Sequence, residues 1–226
     1  GDINSVHCNV RALSELADII TVSSASLLSK FKQVNSETYF IPNALDADIW
    51  SLRNGEPRSL CAVKARNQTN MITIGYVGTP SHDDDLNVIR KAIDRLYSAL
   101  PGKIEFQVIG GFRDPKKGFG EIIPLPRAND YPNFVRWMKK SICWDIGVIP
   151  IKDDSFNEHK SYLKFIECGA LGMALVCSDK SEYRSVVDNG VNGILVENKQ
   201  DVWFDVLYDL IINPDKRYFL ARNSYS

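Results

Sequence analysis

WDIGVIPIKDDSFNEHKSYLKFIECGALGMALVCS, residues 144–178, is the stretch on which the fold turns. Its apolar run at 145–150 reads as a buried strand, its polar segment at 152–158 as a loop, and the residues from about 159 to 171 as a helix. A second apolar strand follows at 173–177, which completes a βαβ unit. At about 100° per residue, Lys160, Lys164 and Glu167 share one helix face, with Tyr162, Phe165, Ile166 and Gly169 opposite. The apolar face must lie on the sheet. The charged face and the helix N-terminus then open onto the carboxyl end of the preceding strand, where unpaired N–H groups and the helix dipole favour an anion. Two lysines add positive charge there, and the carboxylate one turn further along can accept hydrogen bonds from sugar hydroxyls, a pattern suited to a sugar nucleotide. The same spacing fits a solvated face on which Lys164 and Glu167 form a surface pair worth ~0.2–0.5 kcal/mol.

Outward from this unit the alternation continues. Residues 71–77 form an apolar strand, followed by Gly78-Thr79-Pro80-Ser81-His82 and a helix over 83–100. Gly75 and Gly78 permit close backbone approach, and Thr79 and Ser81 offer hydroxyls at a helix N-terminus. Asp83, Asp84 and Asp85 invite a metal or phosphoacceptor reading, but acidic residues in a first turn are the ordinary complement of the helix dipole. Strand 104–109 ends in Gly110-Gly111, either a ligand-facing loop or a plain turn. A Gly/Lys-rich loop at 112–120, with Lys116 and Lys117 as solvent charges, leads to a short strand at 121–124 and an amphipathic helix at 131–141. After the central unit come Ser178 and Ser181 at a helix entrance, a turn and strand at 190–196, and helices at 201–212 and 214–223. This alternation predicts an α/β fold, a Rossmann-like parallel sheet flanked by helices.

Upstream, a helix ends within 12–18, a strand occupies 19–22, the run Ser23-Ser24-Ala25-Ser26 can cap a helix over 26–31, and a strand at 38–41 ends at Pro42-Asn43. Asp46 either faces a cleft with Asn43 or caps a short helix to Trp50. Residues 51–70 read as a linker, with an irregular edge strand at 60–64 as the alternative. The expected division is 1–45, a linker at 46–70, a Rossmann-like domain at 71–212 and a terminal helix at 213–226.

A formal charge of −1 gives no global attraction to nucleic acid, so no nucleic-acid partner is expected. An apolar fraction of 44% with 24% charged residues belongs to the ordinary globular class. No apolar run approaches about 18 residues, and the N-terminus lacks a signal-peptide profile. Attachment to a membrane surface stays compatible with this. Five cysteines, Cys8, Cys61, Cys143, Cys168 and Cys177, lack any C-x-x-C spacing and suit reduced thiols in the cytoplasm rather than a disulfide framework or a metal site.

KSYLKFIECGALGMALVCSD (160–179) followed by EYRSVVDNGVNGILVEN (182–198) resembles the donor-binding half of GT-B glycosyltransferases, in particular the retaining family 4 enzymes, glycosyl transferases group 1. ADIITVSSASLLSKF (17–31) with YFIPNALD (39–46) resembles the end of their acceptor domain and the crossing into the donor domain. The resemblance implies transfer of a hexose from a nucleotide-diphosphate sugar to a glycan, lipid-linked glycan or other hydroxyl acceptor, with retention and without metal or cofactor. It also implies that most of the acceptor domain is missing, so this piece is expected to be inactive alone. Any contact with the inner face of the membrane would run through that missing domain, and polysaccharide assembly is the expected setting.

By residue, Glu167 matches the second glutamate of the family's pair and is implied to bond the donor ribose, while Lys164 is placed to meet a phosphate. The first glutamate falls at His159 by strict spacing, with Glu158 one residue early. The Arg and Lys that the family places in the turn after strand 71–77 are absent, and Lys160 is the residue expected to act in their stead. Lys160, Lys164, Glu158 and His159 are thus the catalytic candidates. Gly78, Thr79, Gly110, Gly111, Lys164 and Glu167 are the donor-site candidates, together with Leu125 as a base contact. Competing classes are a sugar-nucleotide-binding module without transferase activity, a GT-B epimerase using His159 or His82, and a phosphoacceptor domain on Asp83 to Asp85.

Overall fold

The computed structural model of the chain describes residues 3–50, 71–79, 83–112, 114, 118–126 and 130–225. Helix α1 (Ile3–Leu16) leads into two short parallel strands, β1 (Ile20–Val22) and β2 (Thr38–Phe40), joined by α2 (Ala25–Phe31). Ser24 caps α2, its Oγ accepting from the Leu27 N–H at 3.3 Å. A single turn, α3 (Ala47–Trp50), follows, and the Asp46 carboxylate accepts from the Asp48 N–H at 2.9 Å, as its capping reading requires. The linker at 51–70, the edge strand at 60–64 and Cys61 lie outside the described residues, as do Ser81, His82, Lys116 and Lys117.

The larger unit runs β3 (Ile72–Val77), α4 (Asp83–Asn87), α5 (Arg90–Ala99), β4 (Ile104–Ile109), β5 (Glu121–Ile123), α6 (Tyr131–Ser141), β6 (Ile146–Ile149), α7 (Leu163–Ala170), β7 (Ala174–Ser178), α8 (Ser181–Arg184), β8 (Ile194–Val196), α9 (Gln200–Ile212) and α10 (Pro214–Tyr225). Among the described residues its strands form one six-stranded sheet in the order β5-β4-β3-β6-β7-β8, with every pair parallel. This is the doubly wound order, in which the winding direction reverses between β3 and β6. Strand alternation feeds two apolar layers. Ile72, Ile74 and Tyr76 of β3 pack with Leu96, Trp203 and Leu207 on one face, while Trp144, Ile149, Phe165 and Leu175 fill the other. No helix among the described residues is long and apolar enough to cross a membrane.

Two helices differ from their sequence reading. The helix expected over 83–100 is interrupted between Asn87 and Arg90. The break lets both Leu86 and Ile89 reach full burial, and Gln200 fills it: its Oε1 accepts from the Ala92 N–H at 3.0 Å and its Nε2 donates to the Asn87 carbonyl at 3.2 Å. The helix expected from residue 159 begins at Leu163. A short 3-10 turn (Asn157–His159) precedes it, and Lys160 is extended at φ −68 and ψ 155. Lys160 therefore stands in the loop before α7 rather than one turn below Lys164 on the same helix. The cause is polar capture of the loop by Asn157 and Asp85, described below.

Behind α7, Gly169 lets the last helix approach: a Cβ there would lie 2.5 Å from the Ser224 carbonyl oxygen. Arg217, buried in α10, donates from Nη1 to the Leu210 and Ile211 carbonyls at 2.6 and 3.1 Å, satisfying the end of α9. Gly75 serves packing rather than ligand approach, because a Cβ at that position would sit 1.8 Å from the Trp144 indole. The indole is held in place by its Nε1–H, which donates to Gln107 Oε1 at 2.7 Å. Gly75→Ala is therefore expected to lower the unfolding free energy by about 1–3 kcal/mol, the usual cost of overpacking, in a urea titration.

Candidate functional site

The winding reversal opens a crevice at the carboxyl ends of β3 and β6, and one buried carboxylate organises it. Asp85, in the first turn after β3, is 3% exposed. Its Oδ1 accepts from the Lys152 backbone N–H at 2.8 Å and from Asn157 Nδ2 at 3.1 Å, and its Oδ2 pairs with Lys160 Nζ at 3.1 Å. Asn157, itself buried, also donates to the Lys152 carbonyl at 3.0 Å and to Asp154 Oδ2 at 3.2 Å, while its N–H donates to Asp154 Oδ1 at 2.8 Å. The loop between β6 and α7 is thus folded around two buried polar side chains whose partners replace lost water. The neighbouring Asp84–Lys152 pair at 2.9 Å is exposed and adds little.

Beside this loop lies a cavity of about 230 Å³ lined by Ile151, Lys160, Ser161, Leu163, Lys164, Glu167 and Tyr183. Lys160, Lys164 and Glu167 therefore converge although only the last two share a helix. Lys164 and Glu167 do not form the surface pair that their spacing allows. Lys164 holds its ammonium 4.9 Å from the centroid of the Tyr76 ring, a cation–π contact, and Glu167 Oε1 accepts from the Tyr131 hydroxyl at 2.7 Å. The Tyr131 oxygen in turn accepts from Trp50 Nε1 at 3.1 Å, so a relay from α3 through α6 reaches the Glu167 carboxylate. Burial lowers the Lys164 ammonium from its ordinary range. It also raises the Glu167 carboxyl, an effect opposed by the Tyr131 hydrogen bond and the Lys164 charge. The Tyr131 hydroxyl is pushed up to about 12, first by burial and then by its bond to Glu167.

The glycine candidates do not line this cavity. Gly110 and Gly111 have φ of 66 and 84, a region that favours glycine. A Cβ on Gly110 would lie 2.0 Å from the Gly78 carbonyl oxygen, and one on Gly78 would lie 2.5 Å from the Tyr76 hydroxyl. These turns are consequently packed against each other and against the ring that carries Lys164. Thr79 follows Gly78 at the exposed rim. Leu125 stands apart, exposed beyond β5 at the sheet edge, three strands from β6.

The backbone carbonyls of Glu158 and His159, and the His159 ring, meet the β1–α2 serines; the Glu158 residue itself is exposed. The Ser24 and Ser26 hydroxyls donate to the His159 and Glu158 carbonyls at 3.2 and 2.9 Å. With Ser26 thus donating, the His159 Nδ1–H donates to Ser26 Oγ at 3.1 Å and Nε2 accepts from Lys30 Nζ at 3.5 Å. Asn43 completes this seam, its Nδ2 donating to Ser161 Oγ at 2.6 Å and its carbonyl accepting from the Tyr162 hydroxyl at 3.4 Å. Along the same seam the serine run, Phe40, Tyr162, Ser181 and buried Glu182 enclose a second cavity of about 320 Å³. Sequence reasoning missed Asn157 and Tyr131, and it read Asp85 as a dipole complement or as one of an acidic run rather than as the partner of Lys160. An amide at a loop start and an aromatic opening an amphipathic helix carry no signal beyond ordinary capping and packing.

No known family profile matches the chain, and no curated protein matches it in sequence. In fold the chain is similar to solved GT-B glycosyltransferases. HepE of Anabaena, solved with UDP and glucose, shares 13% identity and a TM-score of 0.69 over 98% of this chain and 61% of its own. Sucrose-phosphate synthase of Thermosynechococcus elongatus shares 15% identity and a TM-score of 0.62, over 95% of this chain and 54% of its own. The C-terminal domain of the glycosyl transferase group 1 protein LpcC of Francisella tularensis shares 18% identity and a TM-score of 0.54, over 80% of this chain and 95% of that domain. The chain thus spans 61% and 54% of the length of the two longer structures.

The raised Glu167 carboxyl gives a stability signature. A carboxyl raised by folding stabilises the native state while it is protonated, below the ordinary Glu range. That contribution is lost as pH climbs through the raised value. Glu167→Gln, which keeps an acceptor for Tyr131, is therefore expected to melt above the parent chain at pH 7–8. Its advantage should vanish below about pH 4, where both side chains are neutral, as followed by thermal unfolding across pH.

Proposed function

We propose that this chain is the donor-binding half of a glycosyltransferase that moves a hexose from a nucleotide-diphosphate sugar to a hydroxyl of a glycan or lipid-linked glycan. The observation behind this reading is the convergence of Lys160, Lys164 and Glu167 on one cavity at the winding reversal of the sheet, where doubly wound folds bind ligands. HepE, solved with UDP and with UDP-glucose, supports a uridine nucleotide as the first donor to try. As the diphosphate leaves, negative charge grows on its oxygens and the anomeric carbon takes oxocarbenium character. Lys160, Lys164 and the N–H groups opening α7 are placed to meet that charge, and Glu167 to take the ribose hydroxyls in exchange for Tyr131. Retention, independence of metal and cofactor, and work on a surface polysaccharide at the cytoplasmic side of a membrane belong to the same proposal and follow from the sequence resemblance. Turnover is expected to need the other half of the fold.

A second reading, donor binding without transfer, is favoured by one observation: neither Glu158 nor His159 lines the cavity, and the His159 ring is engaged with Ser26 of the β1–α2 turn. It predicts tight donor binding in the presence of the other half without release of the nucleotide from the sugar. The donor reading itself is tested by calorimetric titration of the chain with UDP, GDP and their hexose conjugates. One nucleotide should bind, and Glu167→Ala and Lys164→Ala should each weaken it by about 1–3 kcal/mol, the worth of a lost charge-assisted hydrogen bond. Binding unchanged in both variants would place the nucleotide elsewhere.

A further inference from the structure

We infer that Asp85 is a positioning residue for the donor diphosphate, acting through Lys160. The inference rests on the donor reading and adds to it the origin of the leaving-group cation. In α4, the helix after β3, the chain carries the acidic run Asp83-Asp84-Asp85, and one member of it, Asp85, is buried. A buried carboxylate at a phosphate site would repel the ligand if it stood alone. Here it faces Lys160, whose side chain is 21% exposed and lines the cavity, whereas the Asp85 side chain is 4% exposed and does not. The pair thus points its negative end into the protein and its positive end toward the crevice. A lysine on an extended loop residue has four rotatable side-chain bonds to fix, and beside Asp85 the Lys160 ammonium lies 5.5 Å from the centroid of the Phe156 ring. Pairing with a buried acceptor that is itself held by the Lys152 N–H and Asn157 restrains that freedom before any ligand arrives, the condition under which an electrostatic contact is most effective. Through the same carboxylate the loop backbone is tied at Lys152, and Asn157 at the 3-10 turn, so the position of the cation and the start of α7 are set together.

Asp85→Asn isolates the effect, since the amide oxygen can still accept from the Lys152 N–H and Asn157 while the ion pair is lost. Calorimetry with UDP compares the parent, Asp85→Asn, Lys160→Met and the double variant. Each single substitution is expected to weaken UDP by about five- to thirty-fold, with the double variant within about two-fold of Lys160→Met alone, because the carboxylate has nothing left to position. Effects that multiply in the double variant, or an Asp85→Asn affinity equal to or tighter than the parent's, would overturn the inference. A merely structural role would lower the melting temperature without this non-additivity. Should Asp85→Asn fail to fold, the double variant, which removes the buried pair whole, is compared with Lys160→Met, and any further loss of UDP affinity counts against the inference. Acylation of Lys160 by acetic anhydride, read by mass spectrometry, separates this idea from the donor reading. Asp85→Asn should speed labelling of Lys160 several-fold whether or not UDP binds. Unchanged labelling refutes the hold of Asp85 on Lys160, and absence of UDP binding in the parent refutes the donor reading alone.

Discussion

A carboxylate taken out of water must be given donors, and that constraint at Asp85 shapes the site end of the sheet. The acceptor stands on the element after β3, and the donors whose partners are described here come from the segment after β6, across the line where the winding reverses. Two loops that the topology sends in opposite directions are thereby fastened to each other. The start of α7, the extended conformation of Lys160 and the burial of Asn157 follow from this one requirement. Without it, a helix beginning near residue 159 would be the natural continuation of the apolar periodicity.

The remaining site groups are set by packing. Gly78 and Gly110 meet backbone to backbone, which leaves room for the Tyr76 ring, and the ring in turn gives the Lys164 ammonium a face to rest on. Glu167 is reached from the opposite side by Trp50 and Tyr131. The lysine and the glutamate are therefore each held by an aromatic neighbour instead of by one another, and both sit at an electrostatic cost from burial. Groups kept in an unfavourable protonation environment inside a crevice are the usual mark of a binding or reacting site.

The fold was legible in the sequence because its strands are short runs of Ile and Val and its helices have clear apolar stripes. Residues 71–77, 104–109, 131–141 and 145–150 show this most plainly, and parallel order follows from the alternation. What local pattern could not reveal was where distant side chains enter the backbone ladder. Gln200 divides the helix after β3 from more than a hundred positions away, and Asp85 delays α7 from 75 positions before Lys160. Of the candidate site, Lys160, Lys164 and Glu167 could be grouped by helical spacing, although the true reason for their meeting is partly a loop. Glu158 and His159 lie in the same short stretch but in a 3-10 turn outside α7, where the His159 ring meets Ser26 and Glu158 meets it through its main-chain carbonyl. Leu125 had no periodicity to place it at all.

One consequence concerns how such a protein can diverge. The helix bearing Lys164 and Glu167 presents its front to the crevice, but its back meets the carbonyl of Ser224 at Gly169 with no room for a methyl group. A lineage changing its ligand can vary the front of α7 residue by residue, while position 169 stays fixed unless the final helix moves with it. Drift in the C-terminal dozen residues and drift in ligand preference are thus coupled through a single missing side chain.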